Sequence, residues 1–182
     1  MYMLYMFFAD GFEEVEAVAA LDVVRRAGIE IKSVGVGNKT VKGSHGIEII
    51  CDIADSEVTP DKELSGIILP GGMPGTTNLL SSKKVNEFID FCSENNLLLA
   101  AICAAPMIFG RKGLLNERNA VCFPGFEDEL AGAEISKEFV CTDGNIITAK
   151  GMGSAINFGL AITSYFKGTA AADSLKATLQ CS

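Results

Sequence analysis

The period of apolar and polar residues changes repeatedly along the chain, and each change marks an element. Residues 3–9 form an almost wholly apolar run closed by Asp10-Gly11, as expected of a strand buried on both faces. From residue 13 to residue 27 the period lengthens, with Val15, Val18, Leu21 and Val24 recurring at helical spacing. Acidic residues occupy the first turn of that segment, Arg25 and Arg26 the last, and Gly28 follows as a C-terminal cap. Residues 29–36 read as a second strand. Strand, helix, strand with short joints is the βαβ unit of a parallel sheet.

The same reading carries on to the C-terminus. Thr40–Lys42 and residues 47–51 flank Gly43-Ser44-His45-Gly46, which predicts a hairpin on the sheet edge. Residues 66–69 are a short apolar strand ended by Pro70-Gly71-Gly72. Residues 85–92 carry Val85, Phe88, Ile89 and Cys92 on one helical face, and residues 97–102 are wholly apolar, hence a central strand. A helix over residues 104–110 follows at once, then short strands near 120–123, 139–142 and 146–148, and helices over 153–166 and 170–179. No linker or repeat interrupts this order. It predicts one domain over residues 1–182, a flavodoxin-like three-layer α/β/α sandwich with a mainly parallel central sheet. In such folds the working surface lies beyond the C-terminal ends of the strands. Residues 10–16, 70–75 and 103–106 meet that description.

Composition narrows the function classes. The chain is 48% hydrophobic and 21% charged, the balance of a packed globule, and its formal charge of -8 argues against nucleic acid or an anionic membrane as partner. The apolar opening lacks a basic start and runs into Asp10, Glu13, Glu14 and Glu16, so it reads as a strand rather than a targeting segment. With no apolar run of about 18 residues, the expectation is a soluble, cytoplasmic protein. No two of the six cysteines lie within four residues of each other, so zinc-knuckle spacing is absent. Five of them read as small buried hydrophobes. No phosphate-binding loop or dinucleotide fingerprint is present.

Cys103 is the exception. The segment Ala101-Ile102-Cys103-Ala104-Ala105-Pro106 joins an apolar strand to a helix with small residues two positions either side of the thiol, the pattern of a nucleophile elbow. Lowering a thiol pKa from about 8.5 to about 6.5 requires about 2.7 kcal/mol of preference for the thiolate. A helix dipole supplies at most about 2 kcal/mol, so backbone N–H groups must add the rest. Gly71 and Gly72 after a strand, with Ala104, are candidate donors to a sulfur or an oxyanion. Glu13 and Glu14 read as capping and solubilising carboxylates, whereas Glu16 shares a face with apolar neighbours. Glu16 can help a thiolate only while protonated, because its anion would raise the thiol pKa. The sole histidine, His45, sits in the hairpin and reaches Cys103 only if that hairpin folds over the site.

Four motifs in order carry a resemblance that runs from residue 9 to about residue 168. They are D-G-F-E-E-V-E with D-V-V-R-R-A-G, L-P-G-G, A-A-I-C-A-A-P, and K-G-M-G-S-A followed by F-G-L-A-I. With them the chain resembles the ThiJ/PfpI family, in the branch of the parkinsonism-associated protein deglycase and bacterial YajL. The resemblance implies a flavodoxin-like homodimer without metal or organic cofactor. It assigns Cys103 as the elbow cysteine, Glu16 as the protonated glutamate in contact with it, and Gly71, Gly72 and Ala104 as the surrounding backbone donors. The activities it implies are deglycation of early glyoxal and methylglyoxal adducts on protein or nucleotide, cofactor-free glyoxalase activity, and oxidative sensing with chaperone-like behaviour. Two positions depart from the pattern. Ala104 stands where the protease-like branch has histidine, which argues against peptidase activity, and Phe123 stands before Pro124 where relatives carry histidine.

Overall fold

A computed structural model describes residues 2–181. In chain order its elements are β1 (Met3–Phe8), α1 (Glu14–Arg26), β2 (Glu30–Gly35), β3 (Thr40–Lys42), β4 (Glu48–Ile50), β5 (Ile53–Ala54), β6 (Leu64–Leu69), α2 (Gly75–Ser81) and α3 (Lys83–Glu94). There follow β7 (Leu98–Ile102), α4 (Pro106–Arg111), β8 (Asn119–Ala120), β9 (Glu134–Ile135), β10 (Val140–Asp143), β11 (Ile146–Ala149), α5 (Ala155–Lys167) and α6 (Thr169–Thr178). Seven strands form one sheet in the order β10-β11-β7-β6-β1-β2-β5, parallel throughout except for the β10–β11 pair. This is the α/β sandwich with a mainly parallel sheet that the periodicity predicts.

Alternation along the apolar strands sorts the core into two layers. Leu4, Met6 and Phe8 of β1, with Leu98, Ala100 and Ile102 of β7, pack under α1 and α5 against Ala17, Ala20, Phe158 and Ile162. The alternate residues Phe7, Leu99 and Ala101 pack on the other side against Phe88, Ile89 and Ile108 of α3 and α4. Because both faces are covered, these strands are apolar at every position rather than at every second one. All five residues of β7 are buried, as a strand flanked on both sides by sheet must be.

Three local expectations change. On α1 the buried face is Ala17, Ala20, Val23 and Val24, while Val15 and Val18 stay 47% and 46% exposed. Close packing of α1 on α5 explains this: a Cβ on Gly159 would lie 2.7 Å from Val23 Cβ, so only small side chains fit between the helices. The β3–β4 hairpin is not on the edge of the main sheet, where β5 pairs with β2 instead. It folds over the loop after β1, with Gly11 N–H donating to Lys42 O (2.7 Å), Lys42 N–H to Asp10 Oδ1 (2.9 Å) and Ser44 N–H to Phe12 O (2.8 Å). Finally, the helix expected from residue 104 starts at Pro106, which suits a first helical position because it has no N–H to leave unpaired. Among the described residues no helix is long and apolar enough to cross a membrane.

Candidate active site

β7 delivers Cys103 just beyond its own C-terminal end, between the ends of its neighbours β6 and β11. The turn is pinned on both sides: Cys103 N–H donates to Ala149 O and Phe123 N–H donates to Cys103 O, each at 2.8 Å. Cys103 has φ of +65°, a left-handed conformation that costs a non-glycine residue about 1–3 kcal/mol. Ala101 and Ala105, two positions either side, are fully buried, so larger side chains would not fit around the apex. Strain held in place by a packed turn is the physical content of the nucleophile elbow.

Glu16 comes from the first turn of α1. Glu13 caps that turn by accepting the Glu16 N–H at Oε2 (2.7 Å), and Glu13 N–H in turn donates to Gly71 O (2.9 Å). The Glu16 side chain is 1% exposed, hydrogen-bonded to the Cys103 thiol, and receives N–H donors from Gly71 (3.1 Å to Oε2) and Met152. A Cβ on Gly71 would lie 2.5 Å from Cys103 Cβ and 2.6 Å from Glu16 Oε2. Only glycine lets the three meet. The N–H groups of Gly72 and Ala104 face the sulfur. Cys103, Glu16, Gly71, Gly72 and Ala104 therefore converge, with one change of role: the Gly71 N–H serves the carboxyl group.

Burial pushes the Glu16 carboxyl up to about 7, against the lowering hydrogen bonds from Cys103, Gly71 and Met152 and with help from the Glu13 charge. Burial also pushes the Cys103 thiol up, to about 12, and the Glu16 charge and hydrogen bond add to it, while the Gly72 and Ala104 N–H groups pull the other way. Burial and the Glu16 carboxyl thus oppose the acidification that a helix dipole would give the thiol. The helix after the elbow has only six residues and begins three positions past the sulfur, whereas a buried carboxyl stands against it. The two acids titrate as one pair, losing a first proton near 7 and holding the second to about 12. At neutral pH the pair carries roughly one to two protons and is poised to move one between oxygen and sulfur.

His45 lies elsewhere. Its ring is 74% exposed and its Nδ1 is 3.0 Å from Glu14 Oε2. Glu14 is buried and also accepts the N–H groups of His45 (2.7 Å) and Ile47 (3.4 Å) and the Ser44 hydroxyl (3.3 Å). Its carboxylate fills the space that a Cβ on Gly43 would occupy. Burial would raise Glu14, yet the bonds from His45 and Ile47 outweigh it and hold the carboxyl down at about 2. Among the described residues Glu13, Glu14 and His45 bring three potential metal-ligand atoms within 4.8 Å of one another. The Glu14 oxygens in that trio are already committed to the hairpin.

Beside the elbow opens a cavity of about 340 Å³, walled by Phe123, Pro124, Phe139, Lys150, Gly151 and Met152. In the sequence its only sign is an aromatic residue before Pro124, together with a glycine-rich K-G-M-G turn. No local periodicity brings those segments together.

Comparison with known proteins identifies the family of the chain. Residues 3–165 match the model of the DJ-1/PfpI family. The chain is 33% identical over 163 residues to Drosophila melanogaster protein dj-1beta, covering 88% of this chain and 87% of that protein. It is 30% identical over 165 residues to the Caenorhabditis elegans glutathione-independent glyoxalase DJR-1.2, covering 90% and 87%. The solved structure of oxidized Toxoplasma gondii DJ-1 superposes with a TM-score of 0.94 at 30% identity, covering 99% of this chain and 98% of that one. The chain belongs to the DJ-1/PfpI family.

Proposed function

We propose that the protein is a cysteine-dependent enzyme acting on reactive α-oxoaldehydes such as glyoxal and methylglyoxal, free or as early adducts on protein or nucleotide. One observation carries the reading: a buried carboxyl with pKa near 7, Glu16, is hydrogen-bonded to a thiol on a strained elbow. A general acid–base group works best when its pKa lies near the working pH. The relative named as a glutathione-independent glyoxalase supports the same substrate class.

The steps follow from the pair. Cys103 sulfur adds to the aldehyde carbon while the thiol proton passes to the Glu16 carboxylate, and the carbonyl electron pair moves to its oxygen. The N–H groups of Gly72 and Ala104 stabilise that oxygen, and Glu16 returns the proton to give a hemithioacetal. Glu16 then carries the hydrogen of the former aldehyde carbon, as a proton, to the neighbouring carbonyl carbon. The hydroxyl proton of the hemithioacetal passes to the neighbouring carbonyl oxygen, so the first carbon is oxidised to a thioester and the second reduced to an alcohol. Water cleaves the thioester, releasing a 2-hydroxycarboxylate and the free thiol. Methylglyoxal consumption with lactate release is expected from the wild type and is lost in Cys103→Ala. Equal rates in the two would overturn the reading.

A second reading uses the same sulfur without turnover. Peroxide oxidises the Cys103 sulfur to sulfenate with release of water while the thiol proton passes to the Glu16 carboxylate, and a second peroxide gives sulfinate, which the now protonated Glu16 stabilises by hydrogen bonding. The solved oxidized relative supports it. Mass spectrometry after mild peroxide should find two added oxygens on Cys103 first, and uniform oxidation of all cysteines counts against it. We also propose a homodimer, supported by Val15 and Val18 lying exposed beside Ile47 and Ile49 along a groove of about 640 Å³. Sedimentation of a monomer at micromolar concentration would remove that proposal.

A further inference from the structure

We infer that the cavity beside the elbow seats the side chain of the α-oxoaldehyde and selects a bulky apolar group, an aryl ring above all, over methyl; this rests on the enzymatic reading above. The wall is made of two aromatic rings, Phe123 and Phe139, and the Met152 thioether, all of them exposed apolar side chains. Its one charged group, Lys150, holds its ammonium 5.3 Å from the centroid of the Phe139 ring. Aromatic faces and a polarisable sulfur favour a flat apolar guest.

The cavity adjoins the reacting pair through Phe123 and Gly151. Phe123 donates its N–H to Cys103 O, and Met152 donates its N–H to Glu16. Between them lies Gly151, where a Cβ would stand 3.2 Å from Phe123 Cδ2 and 3.9 Å from Glu16 Oε1. The backbone there is extended, at φ 164°, so conformation does not demand glycine. Its effect is to keep the passage from ring to carboxyl open. Size permits it: the depression offers about 340 Å³, room enough for an aryl ring.

Two measurements separate this inference from the reading beneath it. The first compares kcat/KM for phenylglyoxal and methylglyoxal, where the wild type should favour the aryl compound at least tenfold, mostly through KM, and Phe123→Ser should reduce that ratio. A single methylene in an apolar pocket is already worth about tenfold or more. The second needs no turnover: phenylglyoxylate and pyruvate, which share one α-oxo acid head, are compared as protectants of Cys103 against iodoacetamide. Phenylglyoxylate should protect at a concentration at least tenfold lower. If it does while neither aldehyde is consumed, the cavity assignment stands and the enzymatic reading falls. A protection ratio under tenfold overturns the cavity assignment whatever the turnover shows, and so does a kcat/KM ratio under tenfold when both aldehydes are consumed.

Discussion

Two carboxylates on the first turn of α1, Glu14 and Glu16, are both buried, yet their acidities lie far apart, at about 2 and about 7. Two residues along a helix is a rotation of about 200°, so the side chains leave toward opposite neighbourhoods. Glu14 meets the hairpin tip, whose two N–H groups, hydroxyl and imidazole all point at its oxygens. Glu16 meets two backbone donors and a thiol, with the Glu13 charge nearby. Burial raises both, and the donors decide the sign. One helix turn thereby supplies a permanent anion that fastens a hairpin and a proton carrier that faces the elbow.

Glu16→Gln breaks the comparison on its reactive side and should have the largest effect. Loss of a general acid–base group typically lowers turnover by about 10²–10⁴-fold. In the wild type kcat/KM should rise with pH through about 7 as Glu16 gives up its proton, and the variant should lose that inflection. A pH profile unchanged by the substitution would refute the assignment. Stability moves the other way. The carboxyl ionises from about 4.5 in the unfolded chain but only near 7 in the folded one, so the unfolded state binds fewer protons in that window and stability falls as pH rises across it. Above pH 7 the glutamine variant should therefore be more stable than wild type, by up to about 3 kcal/mol. Denaturant titrations at pH 5 and pH 8 measure the difference.

The same contrast explains what can be read from the chain and what cannot. The strands that carry the site are legible because burial on both faces makes them apolar throughout, and the small residues around Cys103 mark the elbow within five positions. Glu16 and the Pro70-Gly71-Gly72 turn are legible as chemistry, though not the direction in which their meeting drives the thiol. That direction depends on desolvation and on the long-range meeting of Glu16, on the first helix, with Cys103 on the elbow. Glu14 is the clearer failure. Its sequence context is that of a capping carboxylate, and its partners lie 30 to 33 residues away in a hairpin whose docking leaves no periodic trace. The glycine at position 43 is the one hint, since a Cβ there would collide with the Glu14 carboxylate.

Glu14→Gln tests the other half of the comparison, with a smaller effect confined to stability. A neutral amide keeps one acceptor oxygen and puts an N–H₂ group where a second acceptor is needed, so hairpin donors lose partners at a cost of about 1–3 kcal/mol. In the wild type the carboxyl is lower in the folded chain than in the unfolded one, about 2 against about 4.5. Its contribution is therefore complete above pH 4.5 and disappears as pH falls through 2, where both forms bind the proton. The stability gap between wild type and Glu14→Gln should be widest near neutral pH and close as the solution is taken down from 4.5 toward 2. His45 modulates the upper end: its pKa is raised, chiefly by the hydrogen bond to Glu14, so its share of the latch is full below about 6.5, the ordinary histidine pKa, and fades as pH rises through the folded value. His45→Ala should accordingly remove the alkaline part of the slope and leave the acid part in place. A gap between wild type and Glu14→Gln that stays constant from pH 2 to pH 7 would mean that Glu14 holds the hairpin by shape rather than by charge.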